Sequence, residues 1–210
     1  MRLLVATRSG HKLREIRTIL REFASMRLLD LNDAGVPYAE EEEEIEVFDS
    51  FEENARAKAR FFRRRTGLLT VADDSGLVVD ALNGQPGIHS KRFAPNTGGL
   101  SPLERDRANN AHLVELLRPL ELAERTARYV CVVALEPEGE VFRGEVEGLI
   151  LDEARGEGGF GYDPHFFHPP SGRTFGEMSS ADKHAHSHRG KAFRALAERL
   201  TASDRSREDR

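Results

Sequence analysis

Two adjacent aspartates, Asp73 and Asp74, stand between two apolar runs, Leu68-Leu69-Thr70-Val71-Ala72 and Leu77-Val78-Val79. Few patterns constrain a fold more, because a carboxylate among apolar neighbours is costly unless it is paired or solvated. The pattern predicts a strand over 68–72 that ends in Asp73-Asp74-Ser75-Gly76 at a sheet edge, where the chain turns. Asp, Ser and Gly are ordinary turn residues. Carboxylates at such a point can also hold Mg2+ or activate a water.

The rest of the chain says what could use them. Its 210 residues suffice for one large domain or two small lobes with a core. A formal net charge of −5 argues against a sequence-independent grip on a nucleic-acid polymer, which needs a basic stripe. A single nucleotide needs only a local basic pocket. The one cysteine, Cys131, lies in an apolar run and reads as a buried structural thiol, in keeping with a reducing cytoplasm. The N-terminal apolar run, Leu3–Ala6, is too short for a signal peptide, and no stretch reaches membrane-spanning length.

Leu3–Ala6 instead reads as a short buried strand. It leads into the polar loop Thr7-Arg8-Ser9-Gly10-His11-Lys12, and Leu13, Ile16, Leu20 and Phe23 then keep helical spacing. A strand, a glycine-containing loop and a helix N-terminus suit a phosphate, with Lys12 adding a full charge. The spacing is not that of a Walker A loop. An acidic run, Glu40–Glu44 followed by Glu46, reads first as a solvated face.

Ser50-Phe51-Glu52-Glu53 predicts a capped helix start, with Phe51, Ala55, Ala59 and Phe62 on one face and an end near Gly67. Lys58 lies on another face of that helix. Residues 83–101, rich in Gly, Pro, Asn and Ser, predict an ordered loop or flap. Ser101-Pro102-Leu103-Glu104 starts another helix. Strands over 127–135 and 141–151 flank a Pro137-Glu138-Gly139 turn. The last helix is expected over 187–200, with a polar tail over 201–210.

Three further features carry chemistry. Gly156-Glu157-Gly158-Gly159-Phe160-Gly161-Tyr162-Asp163 packs glycines around an aromatic pair. Glycine lets backbone approach a flat ligand, and an aromatic ring can stack on a base. Lys183, His188 and Arg189 bring cations toward a helix start, where phosphate or the polar edge of a base could meet them. His184, His186 and His188 alternate, but without the Cys or HExxH pattern of a zinc site. A phosphate-type loop, an acidic metal-type turn, a glycine-aromatic loop and a basic pair together suit a nucleoside triphosphate held with Mg2+.

At this point the chain resembles the inosine triphosphate pyrophosphatase family, from Leu3 to about Leu200. The resemblance rests on TRSGHK, SFEENARAKA, ADDSGLVVDALNGQPGIHSKRFA, GEGGFGYDPHF and KHAHSHRGKA, in order and at family spacing. It implies one α/β domain over 1–200, with a long central mixed β-sheet flanked by helices and two lobes with an active-site cleft between them. It also implies a homodimer, and hydrolysis of ITP, dITP and XTP to the monophosphate and pyrophosphate. Carried over by position, Asp74 would be the catalytic carboxylate and a ligand of Mg2+. Ser75 would touch substrate, and Thr7, Arg8, Ser9, Gly10, His11 and Lys12 would hold the phosphates. Phe160, Gly161, Tyr162 and Asp163 would line the base slot, with Lys183, His188 and Arg189 reading the base. Arg92 matches a family arginine near the site.

The chain departs from the family pattern in three places. Ser9 replaces an asparagine, and Lys91 a small residue. The acidic segment Glu44-Ile45-Glu46-Val47-Phe48-Asp49 lacks the family's glycine. Glu46 is the expected second metal ligand, with Glu43 and Glu44 as alternates.

Overall fold

Residues 1–21, 23 and 26–208 are described by a computed structural model, the side chains of 203–208 excepted. Seven strands form one mixed sheet in the order β2-β1-β3-β4-β5-β6-β7. The chain opens with β1 (Arg2–Val5), α1 (Gly10–Leu20) and β2 (Arg27–Leu29), then α2 (Phe51–Thr66) and β3 (Leu69–Val79). Because β1 runs parallel to both β2 and β3, each link needs a crossover, and α1 and α2 supply them. Next come α3 (Pro102–Leu117) and the long strands β4 (Thr126–Glu136) and β5 (Glu140–Ile150). Two short antiparallel strands, β6 (Phe166–His168) and β7 (Arg173–Thr174), follow, then α4 (Ser180–His186) and α5 (His188–Glu208). The α/β expectation holds.

Local signals account for most boundaries. Ser9 caps α1 by accepting from the Lys12 amide, and Ser50 caps α2 by accepting from Glu53. Gly67 ends α2 at φ 69°, where a side chain would be strained. Ser101 and Glu104 close a full capping box on α3, with Pro102 in the first turn.

Two compact units divide the chain. One comprises Met1–Asp74, Cys131–Gly144 and His188–Arg210; the other comprises Ser75–Val130 and Glu145–Ser187. The core of the first gathers Leu3, Val5, Ile16, Leu20, Val71, Cys131, Val133 and Phe193. The core of the second gathers Leu77, Val79, Leu113, Leu117, Tyr129, Phe166 and Phe175.

The central expectation about Asp73 and Asp74 needs correction. They do not turn the chain at a sheet edge: β3 runs straight through them, between β1 and β4. Pairing with β1 reaches only Val5 opposite Val71, so the aspartates lie just beyond the point where β1 leaves for its loop. They can stay in a buried strand because their charges are met by groups distant in sequence, described below. Two helix expectations also change. α4, which carries Lys183, has no counterpart in the sequence reading, and α5 continues past Leu200 to Glu208. Residues 209–210 of the expected tail lie outside the described residues.

Candidate active site

The first unit gathers its charges at the carboxyl end of β1, where parallel strands commonly present ligand-binding loops. Asp73 is 1% exposed. Its Oδ2 lies 3.0 Å from Lys12 Nζ and 3.6 Å from Arg189 Nε. Burial opposes its charge, but Lys12, Arg189 and Lys58 outweigh burial and hold the carboxyl well below the usual aspartate range. The buried Cys131 Sγ sits 3.9 Å from the same oxygen. Burial, and then the Asp73 charge, push that thiol up, so it stays protonated.

Asp74 has the opposite environment. Burial raises its pKa, and the charges of Glu46 and Asp73 add to the rise, while Lys58 and Lys12 oppose it. The net result is a carboxyl above the ordinary range. Asn54 donates to Asp74 Oδ2 at 3.3 Å and also exchanges two hydrogen bonds of 3.0 Å with the backbone of Phe48. That amide therefore ties the acidic segment to the aspartate.

Lys58 donates to the Asp73 carbonyl at 2.9 Å and forms an ion pair with Glu46. Glu46 itself is lowered: burial opposes its charge, but Lys58 and Lys12 more than compensate. Asp74 and Glu46 offer carboxylate oxygens, the donor chemistry that Mg2+ takes. Among the described residues no group of three or more His, Cys, Asp and Glu side chains is arranged to hold a metal. Mg2+ bound through one or two carboxylates plus substrate phosphates needs no such cage, so the donor set fits.

The loop residues divide by role. Thr7 Oγ1 accepts from the Ser9 amide at 3.1 Å, and Gly10 and His11 begin α1. His11 Nδ1 lies 2.8 Å from Arg14 Nη2. Arg8 is engaged elsewhere. It forms a two-point pair with Glu42, at 2.9 and 2.7 Å, and donates to the carbonyls of Val36 and Pro37. The acidic run Glu40–Glu44 is a 3-10 turn, mostly exposed as expected, and this arginine anchors it. Glu43 accepts from the Tyr38 hydroxyl. Arg189 pairs with Glu15 at 2.5 Å and with Asp73, the carboxylate that Lys12 also meets. His188 is buried at the start of α5.

The second unit holds the glycine-aromatic loop. Asp163, 2% exposed, accepts from Lys183 Nζ at 2.5 Å and from the Phe160 amide at 2.8 Å. The Lys183 ammonium also lies 5.0 Å from the Phe160 ring centroid and 5.9 Å from that of Phe175, close enough for cation–π attraction. The Tyr162 hydroxyl donates to the Ser90 carbonyl at 2.7 Å. Burial, and then Asp106, push the phenol up, so it remains a neutral donor. Ser75 is half-buried in β3, and Arg92 is exposed at the end of a 3-10 turn.

Gly159 has φ 75°, and a Cβ there would stand 2.0 Å from Asp163 Oδ2. Gly159→Ala is therefore expected to cost about 2 kcal/mol by overpacking and to weaken nucleotide binding. Urea unfolding and equilibrium titration would check both effects.

Sequence reasoning did not single out Glu15, which pairs with Arg189, or Asn54, which donates to Asp74. One signal was present for Asn54: with Lys58 it forms an i, i+4 polar pair on a helix otherwise buried through Ala55, Ala59 and Phe62. Glu15 gave none, since one acid on an amphipathic helix is unremarkable.

Fold and cluster together define an α/β protein with paired carboxylates and cations gathered at the carboxyl end of its first parallel strands. The chain belongs to the Ham1 family, whose profile matches residues 3–199. It is 44% identical over 201 residues to a dITP/XTP pyrophosphatase of Thermus thermophilus, covering 94% of this chain and 91% of the relative. It is 45% identical over 203 residues to a dITP/XTP pyrophosphatase of Geobacter sulfurreducens, covering 95% and 96%. A HAM1 protein structure from Coxiella burnetii aligns with a TM-score of 0.81 at 35% identity, covering 96% of this chain and 99% of that one.

Proposed function

We propose that the protein hydrolyses non-standard purine nucleoside triphosphates (dITP, ITP and XTP) to the monophosphate and pyrophosphate. The observation that carries this reading is the buried pair Asp73–Asp74 beyond β1, with Lys12 and Lys58 against it. The Thermus and Geobacter relatives supply the substrate class.

In this reading Lys12 and the N-terminus of α1 hold the phosphates. Bound by Asp74 and Glu46, Mg2+ would neutralise phosphate charge and polarise the reacting phosphoryl group. Asp74 takes a proton from water as the water oxygen bonds to the α-phosphorus. The bond from that phosphorus to the bridging oxygen breaks, and its electron pair leaves with pyrophosphate. Positioning and electrostatics carry the rate. Lys183, beside Phe160 and Asp163, would donate to a 6-oxo oxygen. Adenine presents a 6-amino group there and leaves the donor unmatched.

The test is pyrophosphate release from dITP, ITP, XTP, GTP, ATP and dUTP, with Mg2+ and with EDTA. We expect rapid release from the first three, release from ATP slower by about 10²-fold or more, and loss of activity in EDTA. Equal rates on ATP would overturn the base assignment. Full activity in EDTA would overturn the metal assignment. A homodimer in the cytoplasm belongs to the same proposal, on the ground of the family resemblance and the nucleotide substrate. Sedimentation equilibrium tests the stoichiometry, and cell fractionation the location.

A further inference from the structure

We infer that Asp106 and Asn110 are positioning residues for base selection, fixing the backbone of Gly161 between Phe160 and Tyr162. The inference rests on the reading above that this loop lines the base slot. The two side chains lie one turn apart on α3, so they project from one face. Asp106 Oδ2 accepts from the Gly161 amide at 2.8 Å, and Asn110 Nδ2 donates to the Gly161 carbonyl at 2.8 Å. One helix thus takes both backbone polar groups of a single loop residue.

That residue needs holding. Gly161 has φ 64°, and Gly156 and Gly159 also sit at positive φ. Glycines in such a loop have more backbone freedom to lose than other residues. A Cβ on Gly161 would meet nothing within 4 Å, so its open side has room for a flat ligand.

The ring and carboxylate of the loop have pins of their own: Tyr162 on the Ser90 carbonyl, and Asp163 on Lys183. These fix side chains. Asp106 and Asn110 fix the backbone that sets where those side chains begin. The same helix also holds the segment that receives Tyr162. Asn109 accepts from the Ala94 amide at 2.9 Å and donates to the carbonyls of Ser90 and Lys91 at 3.4 and 3.2 Å. The loop and the segment on which Tyr162 docks are therefore both registered against one helix, the kind of rigid support that selective hydrogen bonding requires.

The experiment measures equilibrium binding of dITP and dATP in EDTA, beside steady-state pyrophosphate release. For Asp106→Ala and Asn110→Ala we expect dITP affinity to fall about tenfold, the scale of one lost buried hydrogen bond, with dATP affinity nearly unchanged. The KM for dITP should rise by more than kcat falls. Hydrogen exchange over 156–163 should quicken. Asp106→Asn, whose amide oxygen can still accept from the Gly161 amide, should recover most of the preference, a rescue that general destabilisation would not produce.

Folded alanine variants that keep the wild-type preference overturn the inference. So does an equal loss on both nucleotides. Should the alanine variants not fold, Asp106→Asn and Asn110→Asp decide it. The second sets a carboxylate against the Gly161 carbonyl, so it should lose preference while the first keeps it, and equal preference in the two overturns the inference. Wild-type protein that prefers dITP but releases no pyrophosphate defeats the reaction proposed above, while the binding arm still decides this one. No wild-type preference for dITP over dATP defeats both.

Discussion

Asp74→Asn is expected to lower kcat on dITP by about 10³-fold, the scale of a lost general base, while dITP affinity in EDTA changes only a few-fold. The substitution is nearly isosteric, and an amide oxygen can still accept from Asn54, which now reaches Asp74 Oδ2 at 3.3 Å. What disappears is a site for the proton. Burial, reinforced by Glu46 and Asp73, makes this carboxylate more basic than a free aspartate, against the opposing pull of Lys58 and Lys12. The amide cannot take a proton, and it is a poorer partner for Mg2+. In the reading proposed above, Lys12 and the α1 N-terminus hold the phosphates without Asp74, so affinity should survive. The two readouts are pyrophosphate release and calorimetric titration. Undiminished kcat would remove Asp74 from the mechanism. An equal collapse of affinity would make it a binding residue.

The chain announced its helices better than its charges. Serine caps and the αL glycine at 67 write the start of α1 and both ends of α2 into a few neighbouring residues, and α3 declares itself by Ser101-Pro102 and Glu104. β4 and β5 were legible from apolar runs around one turn. The passage of β3 through Asp73 and Asp74 was not, because what permits it lies far along the chain. Lys12 comes from the first helix and Arg189 from the last. The short strands β2, β6 and β7 span two or three residues and owe their place to sheet neighbours rather than to propensity. α4, with Asp182, Lys183, His184 and His186 among its seven residues, shows no apolar period. Where a motif carried charged residues, as with Lys12, Asp73 and Asp74, the structure brings them together. Arg8 shows the limit: its place in the first loop suggested phosphate, and nothing local announced that its guanidinium reaches Glu42 and the carbonyls of Val36 and Pro37.

Asp73→Asn should act on stability where Asp74→Asn acts on turnover. Successive side chains of a strand point to opposite faces, and Asp73 faces the cations of α1 and α5. Its carboxylate is buried, with Lys12 at 3.0 Å and Arg189 at 3.6 Å. Removing one partner of a buried ion pair leaves the other charge uncompensated, at a cost of about 3 kcal/mol. Arg189 keeps Glu15 at 2.5 Å, so Lys12 loses most. Asp73→Asn combined with Lys12→Met should then be less destabilised than the two single changes added together.

The pH dependence has a fixed sign. Burial opposes the Asp73 charge, but Lys12, Arg189 and Lys58 outweigh it and hold the folded-state pKa below the unfolded value. The unfolded chain therefore binds the proton first as pH falls. The stabilisation is complete above the ordinary aspartate pKa of about 3.9 and is lost below it, as pH drops toward the folded value. Urea midpoints of the wild type and Asp73→Asn should differ by the full amount at pH 7 and converge below about pH 4. Equal stability at pH 7 would show that this carboxylate contributes nothing to the fold, and would leave Glu15 as the carboxylate that offsets the buried charge of Arg189.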